Sequence, residues 1–245
     1  MACNGEQARR NEYVPMTENE WVDSQTNKAL TRQDDVEIAC NFMRPKELPL
    51  HPDNNKNWDS FLAVHHTRRR CSFSEPILDA GAGDESAYLP GLRVQGFHNL
   101  IGINLDRNDD YKAGVRDGIR YAYGDITSTP FPNDIFQFIS CLSVIEHGVD
   151  VPVFLTEVAR ILKPGGHLFV SFDYWVDKLD TLGLITHDAP LHIFSCQDVL
   201  RVIDVASVVG LRVDSGSVDT RCEEKIIAWA GLEYTFMNLL FRKEI

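Results

Sequence analysis

The chain has 245 residues, 44% of them hydrophobic and 24% charged, and a formal net charge of -12 at pH 7. This size and balance suit one well-packed domain with an appended segment and differ from those of a disordered chain. The acidic surplus disfavours nucleic acid and anionic membrane surfaces as partners, because both attract clustered Lys and Arg. The one dense basic run, residues 68–70, is typical of a solvated helix end.

No apolar run approaches the ~20 residues that a membrane-spanning helix needs. The first residues, MACNGEQARRNEY, lack the apolar stretch of a signal peptide. The six cysteines show no CxxC spacing, which favours reduced thiols over disulfides. We therefore expect a cytoplasmic protein, monomeric or homodimeric.

Residues 1–57 are polar and interrupted by prolines, with only short apolar patterns. They predict a helical or irregular extension that serves as a lid, a cap or a loose tail. From Trp58 onward, apolar residues recur at helical spacing as far as the arginine run. We place the start of the main domain there, so that it covers residues 58–245.

Short apolar runs then alternate with helical patterns, as a parallel sheet with crossover helices requires. Five runs of this kind are strand candidates, at residues 76–79, 100–104, 119–123, 135–140 and 167–172. Helices are predicted over 151–162, with Asp150 as N-cap, and over 197–209. A mixed insertion at 173–195 lies between the fifth strand candidate and the second of these helices, and two further strands follow at 211–218 and 228–241.

The segment Ile77-Leu78-Asp79-Ala80-Gly81-Ala82-Gly83 ends the first strand and opens a loop. Without side chains at Gly81 and Gly83, the backbone can approach a ligand closely. This pair of glycines is equally consistent with an ordinary tight turn. A ligand site is favoured only if the neighbouring strands also end in polar residues.

Polar residues do lie at the ends of the next strands, at the edge where open α/β sheets bind ligands. The second strand ends near Asn104 and Asp106, the third near Asp125 and Ile126, and the fourth near Cys141 and Ser143.

With these positions in order, the sequence resembles the class I S-adenosylmethionine-dependent methyltransferase family, in its small-molecule branch. The resemblance rests on ILDAGAG, LIGINLD, YGDITSTPFPNDIFQFISCLSVIEHG and EVARILKPGGHLFVSF, which together cover residues 77–172. It implies an α/β fold: a Rossmann-like, mostly parallel sheet with an antiparallel last strand and helices on both faces. It also implies S-adenosylmethionine as the cofactor.

The resemblance assigns roles to the loop and strand ends. Gly81 and Gly83 would pass under the cofactor's amino-acid end, and Asp79 would hold its ammonium group. Asp125 would accept the adenine amino group, with Ile126 packed on the ring. Cys141 and Ser143 would complete the cofactor site from the fourth strand.

The sequence departs from the family pattern at two places. The family's ribose-binding acid is replaced by Asn104, and Asp106, on the same face of the strand, is the alternative ribose ligand. A third loop glycine is also missing, because Gly83 is followed by Asp84. That position serves helix packing more than ligand approach.

Acceptor and catalytic candidates lie after the fourth and fifth strands. Tyr174 and Trp175 are predicted to line the acceptor pocket. His187, His192 and His147 are candidate bases, since imidazole titrates near neutral pH. His147, next to Glu146, is also consistent with a purely structural role in the loop beneath the cofactor. A metal site among these histidines ranks below a base, so no metal is predicted.

The sequence thus predicts methyl transfer to a small-molecule acceptor, with O-methylation of a hydroxyl favoured. One alternative is a catalytically silent S-adenosylmethionine-binding or regulatory domain. A nicotinamide-dependent oxidoreductase ranks lower, because the carboxylates after Gly83 would repel a pyrophosphate.

Overall fold

The computed structural model describes residues 16–105, 113–214 and 216–245. These residues form six α-helices and eleven strands. In chain order the elements are α1 (Glu18–Gln25), α2 (Gln33–Met43), α3 (Asn57–Arg70), β1 (Ile77–Ala80), α4 (Tyr88–Val94), β2 (Leu100–Asn104), β3 (Gly114–Arg116), β4 (Ile119–Tyr123), β5 (Phe136–Leu142), α5 (Val151–Ile161), β6 (Leu162–Tyr174), β7 (Ile185–Thr186), β8 (Ala189–Pro190), α6 (Cys196–Val208), β9 (Leu211–Val213), β10 (Ile227–Trp229) and β11 (Leu232–Lys243).

The five strand candidates form the parallel centre of the main sheet, in the order β4-β2-β1-β5-β6. The last long strand, β11, pairs antiparallel with β6, as predicted. From β1 the chain crosses to β2 on one side, and it later returns through a second crossover to β5 on the other side. The crevice at the carboxyl end of β1 is therefore the topological switch point of the sheet. The carboxyl ends of all five strands meet at this edge.

Helices cover both faces of the sheet, as predicted for this α/β fold. Helices α5 and α6 pack on one face through Phe154, Val158 and Val202. Helices α1, α2, α3 and α4 pack on the other face, where Trp58 and Tyr88 are fully buried.

The start of α5 is confirmed in detail. Asp150 caps it by accepting the Val153 backbone N–H at 3.2 Å, and a proline occupies its first turn. The helix ends at Ile161, one residue before the predicted end. The Lys-Pro-Gly-Gly segment after it already lies within β6, with a register shift against β5.

The described part of the amino-terminal extension belongs to the core and is not a loose tail. Trp21, Val22 and Met43 are buried with α3 in the same apolar cluster. Asn238 of β11 fastens the segment to the sheet, because its side-chain amide donates to the carbonyl oxygens of Gln25 and Lys28. This packing fixes the short 3-10 turn Asn54–Lys56 beside the carboxyl edge of the sheet.

The structure contains hairpins that the sequence patterns did not predict. The expected strand over 228–241 is divided into β10 and β11 by a turn in which Ala230 and Gly231 both have positive φ. Asp117 and Gly118 form a similar turn between β3 and β4. Two successive residues with positive φ match the twist of antiparallel strands, which explains both hairpins.

Among the described residues, no helix combines the length and apolar character needed to cross a membrane. The five described cysteines are free thiols.

Candidate active site

The loop after β1 follows a tight path that only glycine allows at Gly81. Its φ is +93°, and a Cβ at this position would lie 2.3 Å from a methyl carbon of Val144. The backbone N–H groups of Gly81 and Ala82 donate to the Ile103 carbonyl oxygen at 2.8 and 3.0 Å, which ties the loop to β2. The loop therefore has one fixed shape at the carboxyl edge of the sheet.

Asp79 lies near the end of β1, directly before this loop, and is almost fully buried. Its carboxylate accepts hydrogen bonds from the Ser140 hydroxyl at 2.7 Å and the Ser86 hydroxyl at 3.1 Å. Burial raises the pKa of the Asp79 carboxyl to about 6, against the lowering effect of the two serine hydroxyls. A ligand cation beside this carboxylate would stabilise its charged form.

A small cavity opens above the loop, between β1 and the start of α3. Asp79, Gly81 and Gly83 line it, together with Lys56 and Asp59 from the amino-terminal side. A Cβ at Gly83 would meet nothing within 4 Å, so this glycine borders open space. The Asp59 Oδ1 atom is buried and has no hydrogen-bond partner among the described residues. Two buried carboxylates thus face a space that suits a cationic ligand group.

Asp59 was not predicted as a site residue from the sequence, although an acidic residue within the apolar pattern of α3 could have indicated one. Its other oxygen accepts the Ser171 hydroxyl at 2.6 Å. Complete burial raises the pKa of the Asp59 carboxyl. Lys56 was also missed, because only the packing of the extension brings it to this edge.

The residues predicted to bind the ribose and adenine lie at the ends of β2 and β4. Asn104 donates its side-chain amide to the Ala82 carbonyl oxygen at 3.1 Å, so it braces the glycine loop. Asp106, the alternative ribose ligand, lies outside the described residues. Asp125 is half-buried and accepts the Thr127 N–H and hydroxyl on one oxygen, while Ile126 is buried beside it.

The two candidates at the end of β5 lie in different environments. The Cys141 side chain is fully buried in the apolar core on the α5 side of the sheet. Ser143 has a positive φ of 52°, and its hydroxyl oxygen is buried without a partner among the described residues. Any cofactor contact by Cys141 must therefore come from its backbone, whereas Ser143 remains a predicted cofactor contact that neither cavity lining includes.

A larger cavity of about 350 Å³ adjoins the first and shares Lys56 with it. This volume is in the range of small-molecule sites. Its wall is formed by the 3-10 turn before α3, the end of β5, the β7–β8 hairpin and β10 with β11. The lining combines polar and aromatic groups, including Asp53, Lys56, Glu146, His147, Asp173, His187, Trp229, Tyr234 and Phe236.

Two of the three histidine candidates meet in this larger cavity. The rings of His147 and His187 are 4.9 Å apart and edge-on. Burial, with the nearby His187 and Lys56, lowers the pKa of the His147 imidazole to about 4. Its Nδ1 atom is buried and unpartnered among the described residues. His147 is therefore neutral at pH 7.

His192 lies outside the cavity lining. Its Nε2 atom is 3.1 Å from the Lys178 ammonium and 3.4 Å from an oxygen of Asp198, at the start of α6. Burial and the Lys178 charge lower the pKa of His192. Within the described ranges, no cluster of His, Cys, Asp and Glu side chains is arranged to hold a metal ion.

The two predicted acceptor-binding aromatics do not line the cavity either. Tyr174 is fully buried, and its hydroxyl donates to the Thr220 carbonyl oxygen at 2.7 Å. Side chains alternate along a strand, and this one points into the core. Trp175 packs in a separate apolar cluster and lies 5.0 Å from the Lys225 ammonium. The aromatic surface comes instead from the last hairpin, through Trp229, Tyr234 and Phe236.

Comparison with known proteins agrees with this geometry. A family model described as "Methyltransferase domain" matches residues 78–170, from β1 to β6. The sterol 24-C-methyltransferase of Pneumocystis carinii is 29% identical over 130 residues, covering 48% of this chain and 32% of that protein. The phthiotriol/phenolphthiotriol dimycocerosates methyltransferase of Mycobacterium leprae is 29% identical over 135 residues, covering 51% of this chain and 47% of that protein.

A solved structure supports the same fold. An S-adenosylmethionine-dependent methyltransferase from Mesorhizobium loti superposes with a TM-score of 0.52 at 15% identity, covering 77% of this chain and 98% of that one. Residues 78–170 thus match a methyltransferase domain, and the relatives and the fold support a class I S-adenosylmethionine-dependent methyltransferase. Its aligned part spans less than half the length of the two relatives named above.

The residues present fit S-adenosylmethionine, the cofactor of this family. The glycine loop borders open space at Gly83, and the unpartnered Asp59 oxygen and the buried Asp79 face the same cavity. An ammonium group in that cavity would satisfy both carboxylates.

Proposed function

We propose that this protein transfers a methyl group from S-adenosylmethionine to a hydroxyl of a small molecule. The observation that carries the proposal is the adjacency of two cavities at one sheet edge. One is built around the glycine loop and buried carboxylates, and the other contains the adjacent rings of His147 and His187. Lys56 lines both, so ligands in the two cavities would be neighbours.

Asp79, Asp59, Gly81 and Gly83 would hold the amino-acid end of the cofactor. Asp125 and Ile126 would bind the adenine, and Asn104 or Asp106 the ribose. The cofactor supplies an activated methyl group on a sulfonium, whose departure as a thioether is already easy. The protein's contribution is therefore to orient the acceptor and exclude water.

A hydroxyl is a poor nucleophile, so its proton must be accepted as the new bond to carbon forms. His147 is the candidate for this role, since it lines the larger cavity and its imidazole, with a pKa lowered to about 4, is neutral at pH 7 and able to accept a proton. His187 lies edge-on against it in the same cavity and would help position the acceptor. The open larger cavity weighs against a catalytically silent domain, which a blocked acceptor site would favour.

The proposal is tested by incubating the protein with methyl-labelled S-adenosylmethionine and a set of hydroxyl-bearing small molecules. Label in an O-methyl product, with stoichiometric S-adenosylhomocysteine, is the expected result. Transfer only to nitrogen or carbon acceptors would refute the hydroxyl assignment. Absence of any transfer despite cofactor binding would favour the silent domain.

Cofactor affinity is expected to fall as the pH falls through about 6. The ionised Asp79 attracts the cofactor's ammonium group, whereas the protonated form does not, and its pKa in the free protein is about 6. Asp59, whose pKa burial also raises, acts in the same direction. Protonation of Asp79 alone predicts about tenfold weaker binding at pH 5 than at pH 7.5. Calorimetric titration across this range measures it, and a flat profile would contradict the assigned contact.

Replacement of His147 or His187 by Asn is expected to lower kcat by about 100-fold or more, the contribution of a general base. Cofactor affinity should change little, because neither ring lines the cofactor cavity. Steady-state kinetics with saturating cofactor measures the effect. His98→Asn, an exposed histidine before β2, is the matched control and should retain full turnover. Equal losses in the control and the cavity variants would exclude a proton-transfer role.

A further inference from the structure

The larger cavity contains a buried pair of carboxyl groups that the proposed methyl transfer does not use. Glu146 and Asp173 both line it and are 0% and 6% exposed. The Asp173 backbone N–H donates to the Glu146 Oε1 atom at 3.3 Å. The Glu146 Oε2 atom is buried with no hydrogen-bond partner among the described residues. A buried carboxylate oxygen without a donor is costly unless a ligand supplies one.

Acidic groups outnumber basic groups around this cavity. Besides the pair, Asp53 contributes a third carboxyl to the lining, while the one Lys or Arg among the described lining residues is Lys56. The Lys56 ammonium lies 4.2 Å from the centre of the Phe236 ring, between the two cavities. Within the described part of the chain, the lining of this cavity therefore has three carboxyls and one ammonium, and the same ammonium lines the next cavity with Asp59 and Asp79.

The aromatic side of the cavity is compatible with a cation. Trp229, Tyr234 and Phe236 present ring surface to the same space. Aromatic faces attract ammonium groups, and the Lys56–Phe236 contact is an example within this site. Hydrogen bonding from the Tyr234 hydroxyl lowers the pKa of the Asp173 carboxyl, against the effect of burial.

We propose that the methyl acceptor carries an ammonium group, and that Glu146 and Asp173 bind this group in the larger cavity. The inference rests on the proposed function, since it specifies the acceptor of that reaction as an amino alcohol or amino phenol. The acceptor hydroxyl would lie towards His147 and His187, and the ammonium group towards the carboxyl pair. Burial raises the pKa values of both carboxyls, with repulsion from Asp173 acting on Glu146 and repulsion from Asp59 and Asp53 acting on Asp173. A bound cation would stabilise the ionised form of each carboxyl.

The test compares probes that differ only in charge. Tyramine and para-propylphenol have the same shape, with an ammonium group in one and a methyl group in the other. Choline and neohexyl alcohol form a second pair of this kind. Calorimetric titration at pH 7.5 should show each cation binding at least about tenfold more tightly than its neutral partner, the effect of one charged hydrogen bond or ion pair.

Variants of the pair localise the effect. Glu146→Gln and Asp173→Asn keep the side-chain shape and should reduce the preference for cations to about twofold or less. Glu233→Gln is the matched control, because this acid is on the same strand as Tyr234 but pairs with Lys225 and lies outside the cavity lining. It should leave the preference unchanged, and thermal melts identify any variant that fails to fold.

No preference for the cation in either pair, or no binding of any probe, would overturn the proposal. An unchanged preference in both folded carboxyl variants would also overturn it. S-adenosylhomocysteine is titrated separately. A protein that binds S-adenosylhomocysteine without preferring cations contradicts this inference alone, while one that prefers cations without binding S-adenosylhomocysteine contradicts the proposed function.

Discussion

Asp79→Asn is expected to weaken S-adenosylmethionine binding on the order of 100-fold at pH 7.5. The substitution removes the buried negative charge assigned to the cofactor's ammonium group, and charged hydrogen bonds in buried sites contribute about 1.5–3 kcal/mol. Calorimetric titration of the purified variant measures the loss.

The same variant should not be less stable than the parent protein. The folded-state pKa of Asp79 is about 6, above its ordinary value of 3.8, so its stabilising contribution is present at low pH and is lost as the pH rises through 6. At pH 7.5 the ionised carboxylate therefore costs stability, which a neutral amide avoids. We expect an unchanged or higher melting temperature without ligand. Loss of binding together with a large fall in melting temperature would indicate a structural role instead.

Gly81→Ala is expected to lower stability, whereas Gly83→Ala is expected to weaken cofactor binding. At Gly81, an added Cβ meets Val144 at 2.3 Å, and the φ of +93° is strained for any L side chain. The expected loss of folding free energy is on the order of 3 kcal/mol, from strain and overpacking together. At Gly83 the added Cβ meets nothing within 4 Å, so stability should hardly change.

Gly83→Ala should nevertheless weaken cofactor binding by about tenfold or more. The added methyl group would occupy the cavity where the amino-acid end of the cofactor is expected to pass. Denaturant unfolding and calorimetry on both variants separate stability from binding. Val144→Ala in the Gly81→Ala background should restore part of the stability by removing the overlap. Normal cofactor affinity in a stable Gly83→Ala protein would contradict the assigned path of the cofactor.

The parallel centre of the sheet was predictable because most of its strands are short, apolar and buried on both faces. The run 100–104 is short and apolar, whereas 119–123 alternates buried and more exposed residues, and the structure reproduces the bounds of both as β2 and β4. The hairpins were harder to predict. Asp117-Gly118 is a recognisable turn signal, whereas Ala230-Gly231 is a weak one, so the single strand expected over 228–241 proved to be two.

The cofactor site was more predictable than the acceptor site for a physical reason. The glycine loop and Asp79 are contiguous in sequence, and the other cofactor candidates follow strands of one parallel sheet. The acceptor cavity instead combines Lys56 from the extension, Glu146 after β5 and Tyr234 from the last strand. No local pattern connects these segments, and strand alternation, which turned Tyr174 into the core, separates it from the cavity.

The most direct test of the cofactor site is calorimetric titration of the protein with S-adenosylmethionine and S-adenosylhomocysteine, alongside Asp79→Ala and Asp125→Ala. We predict micromolar binding of both ligands to the parent protein and loss of that binding in both variants. Absence of binding to the folded parent protein, or full binding by both variants, would contradict the cofactor site described here.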